Sequence, residues 1–293
     1  MQFIIYLLTY PFFMMVSLLP FKVMYLLSDL FYLILYYIIG YRKKVVRKNL
    51  KLAYPDKTEE ERLDLEKKSY RHFVDIFFEM AKTFTVSKKE LLKRYKFSNT
   101  ELIDRLHKDG RSVIMMSSHY GNWEWVVGMP LSAKIDCYTS YTKIQNKNFE
   151  DLIKNSRSKF GMICLKSTEI IKGIVKNVKE QKQGLYLLVS DQSPQIQKNQ
   201  YWTDFLNVKV PIFTGAEMIS KKFDFAVVNM NTTKVKRGYY ESEFELITDS
   251  PKELTKNEIT NAYLRITEEH IYKQPNFYLW SHKRFKHKDK APK

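Results

Sequence analysis

The first forty-one residues constrain this 293-residue chain more than any other stretch, because a water-soluble fold has little use for so much uninterrupted apolar surface. Residues 1–21 carry no charge, and residues 23–41 carry only Asp29 among Leu, Ile, Tyr and Phe. Each run is near the ~20 residues a helix needs to cross a bilayer. Pro20 and Lys22 divide them, so the segment reads as a helical hairpin, or as one spanning helix with one interfacial helix; Pro11 and the many tyrosines weigh against two spans. A cleaved signal peptide fits less well, since there is no basic start, no small-residue cleavage site, and twice too much apolar chain. Directly after this segment come Arg42, Lys43, Lys44, Arg47, Lys48 and Lys51 with no acid among them. Such a cluster reads as cytoplasmic and as a contact for anionic headgroups. Residues 1–41 are therefore expected to be a membrane anchor and residues 42–293 one folded domain.

The remainder is long enough to bury a real core. With 49 Lys and Arg against 32 Asp and Glu, the net charge of +17 calls for an anionic partner: nucleic acid, an acidic protein or phospholipid. No RNP-like aromatic motif and no zinc-finger spacing supports nucleic acid. Cys137 and Cys164 stand alone, which argues against a disulfide framework or a zinc site and suits a reducing compartment. Nine glycines form neither GxGxxG nor GxxxxGK[ST], so a nucleotide-phosphate cradle is not expected.

Beyond the basic cluster, Thr58 and Glu61 make a capping-box pattern that opens a helix reaching about Phe84. His72 and Asp75 lie one turn apart in it and, lacking further ligands, read as a structural polar pair rather than a metal site. Strands are expected at 113–116, 135–140, 185–189, 225–230 and 239–248, and helices at 148–160, 169–182 and about 257–272. Pro211 to Lys222 should carry a loop into a further helix. This alternation argues for an α/β fold, a mixed sheet flanked by helices behind an N-terminal hydrophobic helical anchor.

The stretch SVIMMSSHYGNWEW, residues 112–125, carries the chemistry. A buried strand empties into a loop with His119, Tyr120 and Gly121, and Asn122 can cap a new helix with Glu124 in its first turn. Across a loop and a helix start, His119 and Glu124 can converge, giving an imidazole base with a carboxylate that fixes its tautomer. Spacing alone is weak support. Arg157 stands in the basic helix before Gly161, and Asp191 ends the strand at 185–189, where α/β proteins tend to build sites. The terminal FYLWSHKRFK, interleaving aromatic and basic residues, suits an interface between water and lipid.

Taken together, the apolar start followed by RKKVVRKNLKLAYP (42–55), HYGNWE (119–124), the helix with Arg157, the strand ending in Asp191 and Gln192, and LWSHKRFK (279–286) resemble the late acyltransferases of lipid A biosynthesis within the lysophospholipid acyltransferase superfamily. The resemblance spans nearly the whole chain. It implies a glycerolipid-acyltransferase-like fold and a membrane-bound enzyme at the cytoplasmic face of a bacterial inner membrane. It also implies an acyl thioester on acyl carrier protein as co-substrate, an anionic lipid acceptor, and no cofactor or metal. His119 would be the general base and Glu124 its partner. Backbone amides near Gly121 and Asn122 are candidates to receive the oxyanion, Arg157 to hold a substrate phosphate or carbonyl, and Asp191 matches the family's strand-end aspartate. Ser117 and Ser118 read as structural. The glycerol-phosphate block of glycerolipid acyltransferases is missing: the nearest stretch, FTGAE at 213–217, lacks its arginine. Transfer to another aminolipid, glycolipid or phospholipid is the alternative within enzymes, and a non-catalytic basic membrane protein is the alternative outside them.

Overall fold

Val113–Ser117 (β2) is apolar without alternation, as a strand covered on both faces must be, and all five residues are buried. In a computed structural model describing residues 2–142, 145–197 and 200–292, this strand sits at the middle of a seven-stranded sheet. The other strands, in chain order, are Tyr95–Ser98 (β1), Cys137–Tyr141 (β3), Ile163–Lys166 (β4), Leu185–Val189 (β5), Ala226–Lys236 (β8) and Tyr239–Thr248 (β9); Trp202–Phe205 (β6) and Val208–Pro211 (β7) form a separate hairpin. The sheet order is β1-β9-β8-β2-β5-β3-β4, with β8 and β9 antiparallel and every other neighbouring pair parallel. Side chains alternate between two layers: Ile114 and Met116 join one core, Val113 and Met115 the other. The mixed sheet flanked by helices is the architecture the sequence pattern called for.

The helices are Gln2–Leu18 (α1), Phe21–Leu33 (α2), Lys43–Ala53 (α3), Glu59–Lys82 (α4), Lys88–Arg94 (α5), Thr100–Lys108 (α6), Lys147–Ser158 (α7), Ile170–Lys179 (α8), Gly215–Phe223 (α9) and Glu258–Lys273 (α10). Thr58 and Glu61 close a capping box at the start of α4, each binding the other's backbone N–H. This long helix is the strut between the apolar N-terminus and the sheet.

The N-terminal segment is a pair of helices broken at Pro20, with α2 running on as a π-helical turn over Ile34–Ile39. Phe21–Ile39 is long and apolar enough to cross a membrane. Yet α2 is two-faced. Met24, Ser28, Tyr32 and Tyr36, four residues apart, are buried against the body. Along that side Tyr25 donates to Glu79 (2.6 Å), Ser28 to Asp75 (2.8 Å) and Tyr36 to Glu66 (2.9 Å), while Asp29 pairs with Arg237 of the β8–β9 turn (2.9 Å). The opposite face leaves Leu26 70% and Ile38 78% exposed, with Leu7, Met15 and Leu18 of α1 exposed as well.

One expectation is refined, and one element has no counterpart in the sequence pattern. The terminal aromatic and basic stretch, expected at an interface between water and lipid, turns Tyr278, Trp280, Arg284 and Phe285 inward and leaves Lys283 and Lys286 exposed. Backbone polar groups decide this, because Asn49 of α3 donates to the carbonyls of Trp280 (2.8 Å) and His282 (2.7 Å) and straps the segment inward. The β6–β7 hairpin was not legible. Its turn places Leu206 and Asn207 at positive φ (52° and 63°), and leucine gives no signal for that conformation.

Candidate active site

In the register of the central strands Ser117 of β2 faces Val189 of β5. Each chain leaves its strand there, and the backbone pairing continues for one more step, Ser190 N–H to the Ser117 carbonyl (3.1 Å). His119 and Asp191 each lie two residues beyond these partners, so parallel pairing carries them to the same height. Their side chains meet at 2.8 Å, His119 Nδ1 to Asp191 Oδ1. Asp191 is buried, while the His119 side chain retains 21% exposure.

Electrostatics follow from this contact. Burial by itself pulls the His119 pKa down; the Asp191 carboxylate, with Glu124 adding to it, outweighs burial and holds the pKa above the usual histidine value. Burial pushes the Asp191 carboxyl up, but His119 and then Arg284 more than reverse this and keep it ionised. The contact fixes the tautomer: Nδ1–H donates to the carboxylate, and the Nε2 lone pair is left for a substrate proton. Gln192 Nε2 lies 3.1 Å from His119 Nε2 and 3.4 Å from Nδ1. A single atom that close to both ring nitrogens sits over the ring face, so it does not occupy the Nε2 lone pair. Trp123 packs edge-on to the same ring, centroids 5.5 Å apart.

The expected pairing of His119 with Glu124 is therefore replaced. Asn122 Oδ1 accepts from the N–H groups of Glu124 (3.1 Å) and Trp125 (2.9 Å), a cap one step ahead of the expected one: the 3₁₀ turn Trp125–Leu131 has Glu124 itself at its N-cap position rather than in its first turn. The capped turn sends Glu124 toward α7, where Arg157 Nη2 donates to both of its carboxylate oxygens (3.1 and 3.0 Å). A guanidinium is a stronger partner for a carboxylate than a neutral imidazole. Glu124 thus acts on His119 through its field, and Asp191 through a hydrogen bond.

Gly121 and Asn122 do not present donors to a substrate. The Gly121 N–H donates to the Phe277 carbonyl (3.0 Å), and its carbonyl accepts from His72 Nε2 (3.1 Å). Gly121 has φ +58°, and a Cβ there would lie 2.8 Å from Thr232 Cγ2. Asn122 is fully buried, its amide nitrogen donating to Glu79 Oε2 (2.6 Å). Both are scaffold for the loop. Arg157 offers more: its contacts to Glu124 run through one terminal nitrogen, and its side chain lines the cavity.

Helix α4 holds the loop from below. Glu79 accepts from Tyr25, Tyr240 (2.8 Å) and Asn122, and its backbone carbonyl accepts from the Trp125 indole (2.9 Å). His72 and Asp75 are not bonded to each other. Lys234 joins them, donating to His72 Nδ1 (3.1 Å) and lying 3.5 Å from Asp75. From the other side the terminal strap contributes Arg284, 1% exposed, which sits in the field of Asp191. His282 accepts from the Ser193 N–H (3.3 Å), and burial pushes its pKa down to about 4. Sequence reasoning missed the roles of Gln192 and Arg284 and of Asp191 as the imidazole's partner. Equal two-residue offsets past the ends of 113–117 and 185–189 were the available signal, but they become one only if those strands are known to be neighbours.

His119, Trp123, Glu124 and Arg157 open onto one cavity of about 180 Å³, walled by Val127, Met162, Leu187 and other residues at the carboxyl ends of β2, β3 and β5. A carboxylate-held imidazole with a free Nε2, beside an arginine–glutamate pair, defines a protein that can take a proton from a hydroxyl and steady developing negative charge. A family model described as bacterial lipid A biosynthesis acyltransferase matches residues 1–287, and the chain belongs to that family. It is an acyltransferase. A lipid A biosynthesis acyltransferase of Haemophilus influenzae is 23% identical over 260 residues, covering 83% of this chain and 76% of that protein.

Proposed function

We propose that the protein transfers a fatty acyl group from an acyl carrier protein thioester to a hydroxyl of a lipid A precursor, at the cytoplasmic face of a bacterial inner membrane. His119 Nε2 takes the hydroxyl proton as the oxygen attacks the thioester carbonyl. The carbon–sulfur bond then breaks, and the proton passes from His119 to the departing thiolate. Asp191 keeps the tautomer and stabilises the imidazolium; Arg157, held by Glu124, donates to the oxyanion. No cofactor enters these steps. The observation that carries this reading is the His119–Asp191 contact at the cavity floor with Nε2 unspent.

Membrane attachment falls to the free face of the N-terminal pair. Because α2 is tied to α4 and the β8–β9 turn through Tyr25, Ser28 and Asp29, its outward residues, Leu26, Leu30 and Ile38 among them, are left to meet acyl chains. The test has two parts. Purified wild-type protein should convert a lipid A precursor to a product heavier by one acyl group when given acyl carrier protein thioester. Lipid mass spectra of a deletion strain should lack one secondary acyl group on lipid A, and unchanged lipid A in that strain would refute the assigned acceptor.

A further inference from the structure

Outside the catalytic cavity, a basic groove of about 350 Å³ lies between α3 and the terminal strap. Lys44 and Lys48 line it from one wall and Lys283 and Lys286 from the other, over an apolar floor of Val45 and Phe285. All four lysines are exposed. Among the described residues none has a carboxylate within ion-pair distance, although Arg47 on the same helix does, with Glu66 (2.9 Å). Asp289, the acid in the field of Lys48, is bonded to Lys288. Lys44 and Lys48 are one turn apart on α3, so their charges repel, and among the described residues no ion pair offsets that cost. The groove is also rigidly built, since Asn49 and Arg42 clamp the strap's carbonyls on to α3.

Position gives the groove its meaning. Lys283 follows His282, which binds the Ser193 N–H, and Ser193 follows Gln192, which covers the His119 ring. One contiguous set of contacts therefore runs from the lysines to the base. On its other side, Lys44 comes five residues after Ile39, which is 63% exposed at the end of the apolar helix. Along the chain the groove thus begins five residues beyond the exposed apolar face that the proposed function assigns to lipid.

We infer that the Lys44–Lys48–Lys283–Lys286 groove binds a phosphate on the head of the acceptor lipid and so registers its hydroxyl against His119. This rests on the proposed lipid acceptor. Phosphate offers several acceptor oxygens and about two negative charges, which four ammonium groups around one groove match and a neutral sugar does not. A phosphate on the acyl donor shares that chemistry, and the test separates the two.

The test uses the full-length protein in detergent with all four lysines changed to glutamine, beside a variant with Lys88, Lys89, Lys108 and Lys179 changed to glutamine, which removes equal charge elsewhere on the surface. Calorimetric titration with dodecyl phosphate should show binding weakened about tenfold or more in the groove variant, unchanged in the control, and restored when the four positions are arginine. In turnover, the KM for a phosphorylated acceptor should rise by about the same factor, with kcat and the KM for the acyl thioester held. Equal dodecyl phosphate binding by both variants, or a rise confined to the thioester KM, overturns the inference. Because the titration needs no turnover, lysine-dependent binding without acyl transfer would count against the proposed function alone.

Discussion

Two clusters of histidine, acid and base flank the same loop, and they have opposite fates. His119, Glu124 and Arg157 open onto a cavity with Asp191 behind the imidazole; His72, Asp75 and Glu79 are buried and sealed from it, with the half-buried Lys234 joining the first two. In the open cluster a carboxylate outweighs burial, and the imidazole pKa is raised. In the sealed cluster burial dominates: it pushes His72 well below its usual value, with Lys234 adding to it, and lifts Glu79 to about 7. The neutral His72 then spends both nitrogens, one on Lys234 and one on the Gly121 carbonyl. The same residue types thus leave an imidazole nitrogen free where a cavity opens, the proposed base, and make a brace where none does. Access decides between the two roles, because a group with no unspent lone pair has nothing to offer a substrate.

If that division is right, His119→Ala lowers kcat/KM by about a thousandfold while the melting temperature stays put; a mutant that melts early but turns over would place His119 with the braces. Next in size is the pH dependence of stability set by Glu79. Its folded pKa is raised above the ordinary carboxylate value, so the folded state holds a proton the unfolded chain has lost. Stability is full below pH ~4.5 and falls as pH rises toward 7, by up to about 3 kcal/mol. Denaturant unfolding at pH 5 and pH 8 should show this slope in the wild type and not in Glu79→Gln. Smaller again, Asp191→Asn should cost roughly thirtyfold in turnover, since the amide no longer stabilises the imidazolium. His119 must be neutral to accept a proton, and losing Asp191 lowers its pKa, so the acid limb of the pH–rate profile should move to lower pH. A limb that stays fixed would mean that another group sets it.

Much of the fold could be read from pattern. The strands at 185–189 and 239–248 and the capping box at Thr58 are local signals of burial and hydrogen bonding, and they appear where the pattern put them. The site was legible only in part. HYGNWE marks the loop and Asn122 its turn, but the acid nearest in sequence, Glu124, is not the one bonded to His119.

The inward turn of the terminal strap's rings is illegible for a related reason. FYLWSHKRFK has the composition of a lipid boundary, and whether its aromatic rings face outward or inward depends on Asn49, some 230 residues away.

What the amino-acid order determined by itself was the apolar start, the strand and helix punctuation, and the presence of a base with acids within reach. The tertiary structure decided which acid. Setting β2 beside β5 in parallel register brought Asp191 to His119 across 72 residues, while the capped turn aimed Glu124 at Arg157. Local signals reach a turn or a strand pair at most. A proton's destination is set by contacts of about 3 Å, and only the assembled sheet fixes those.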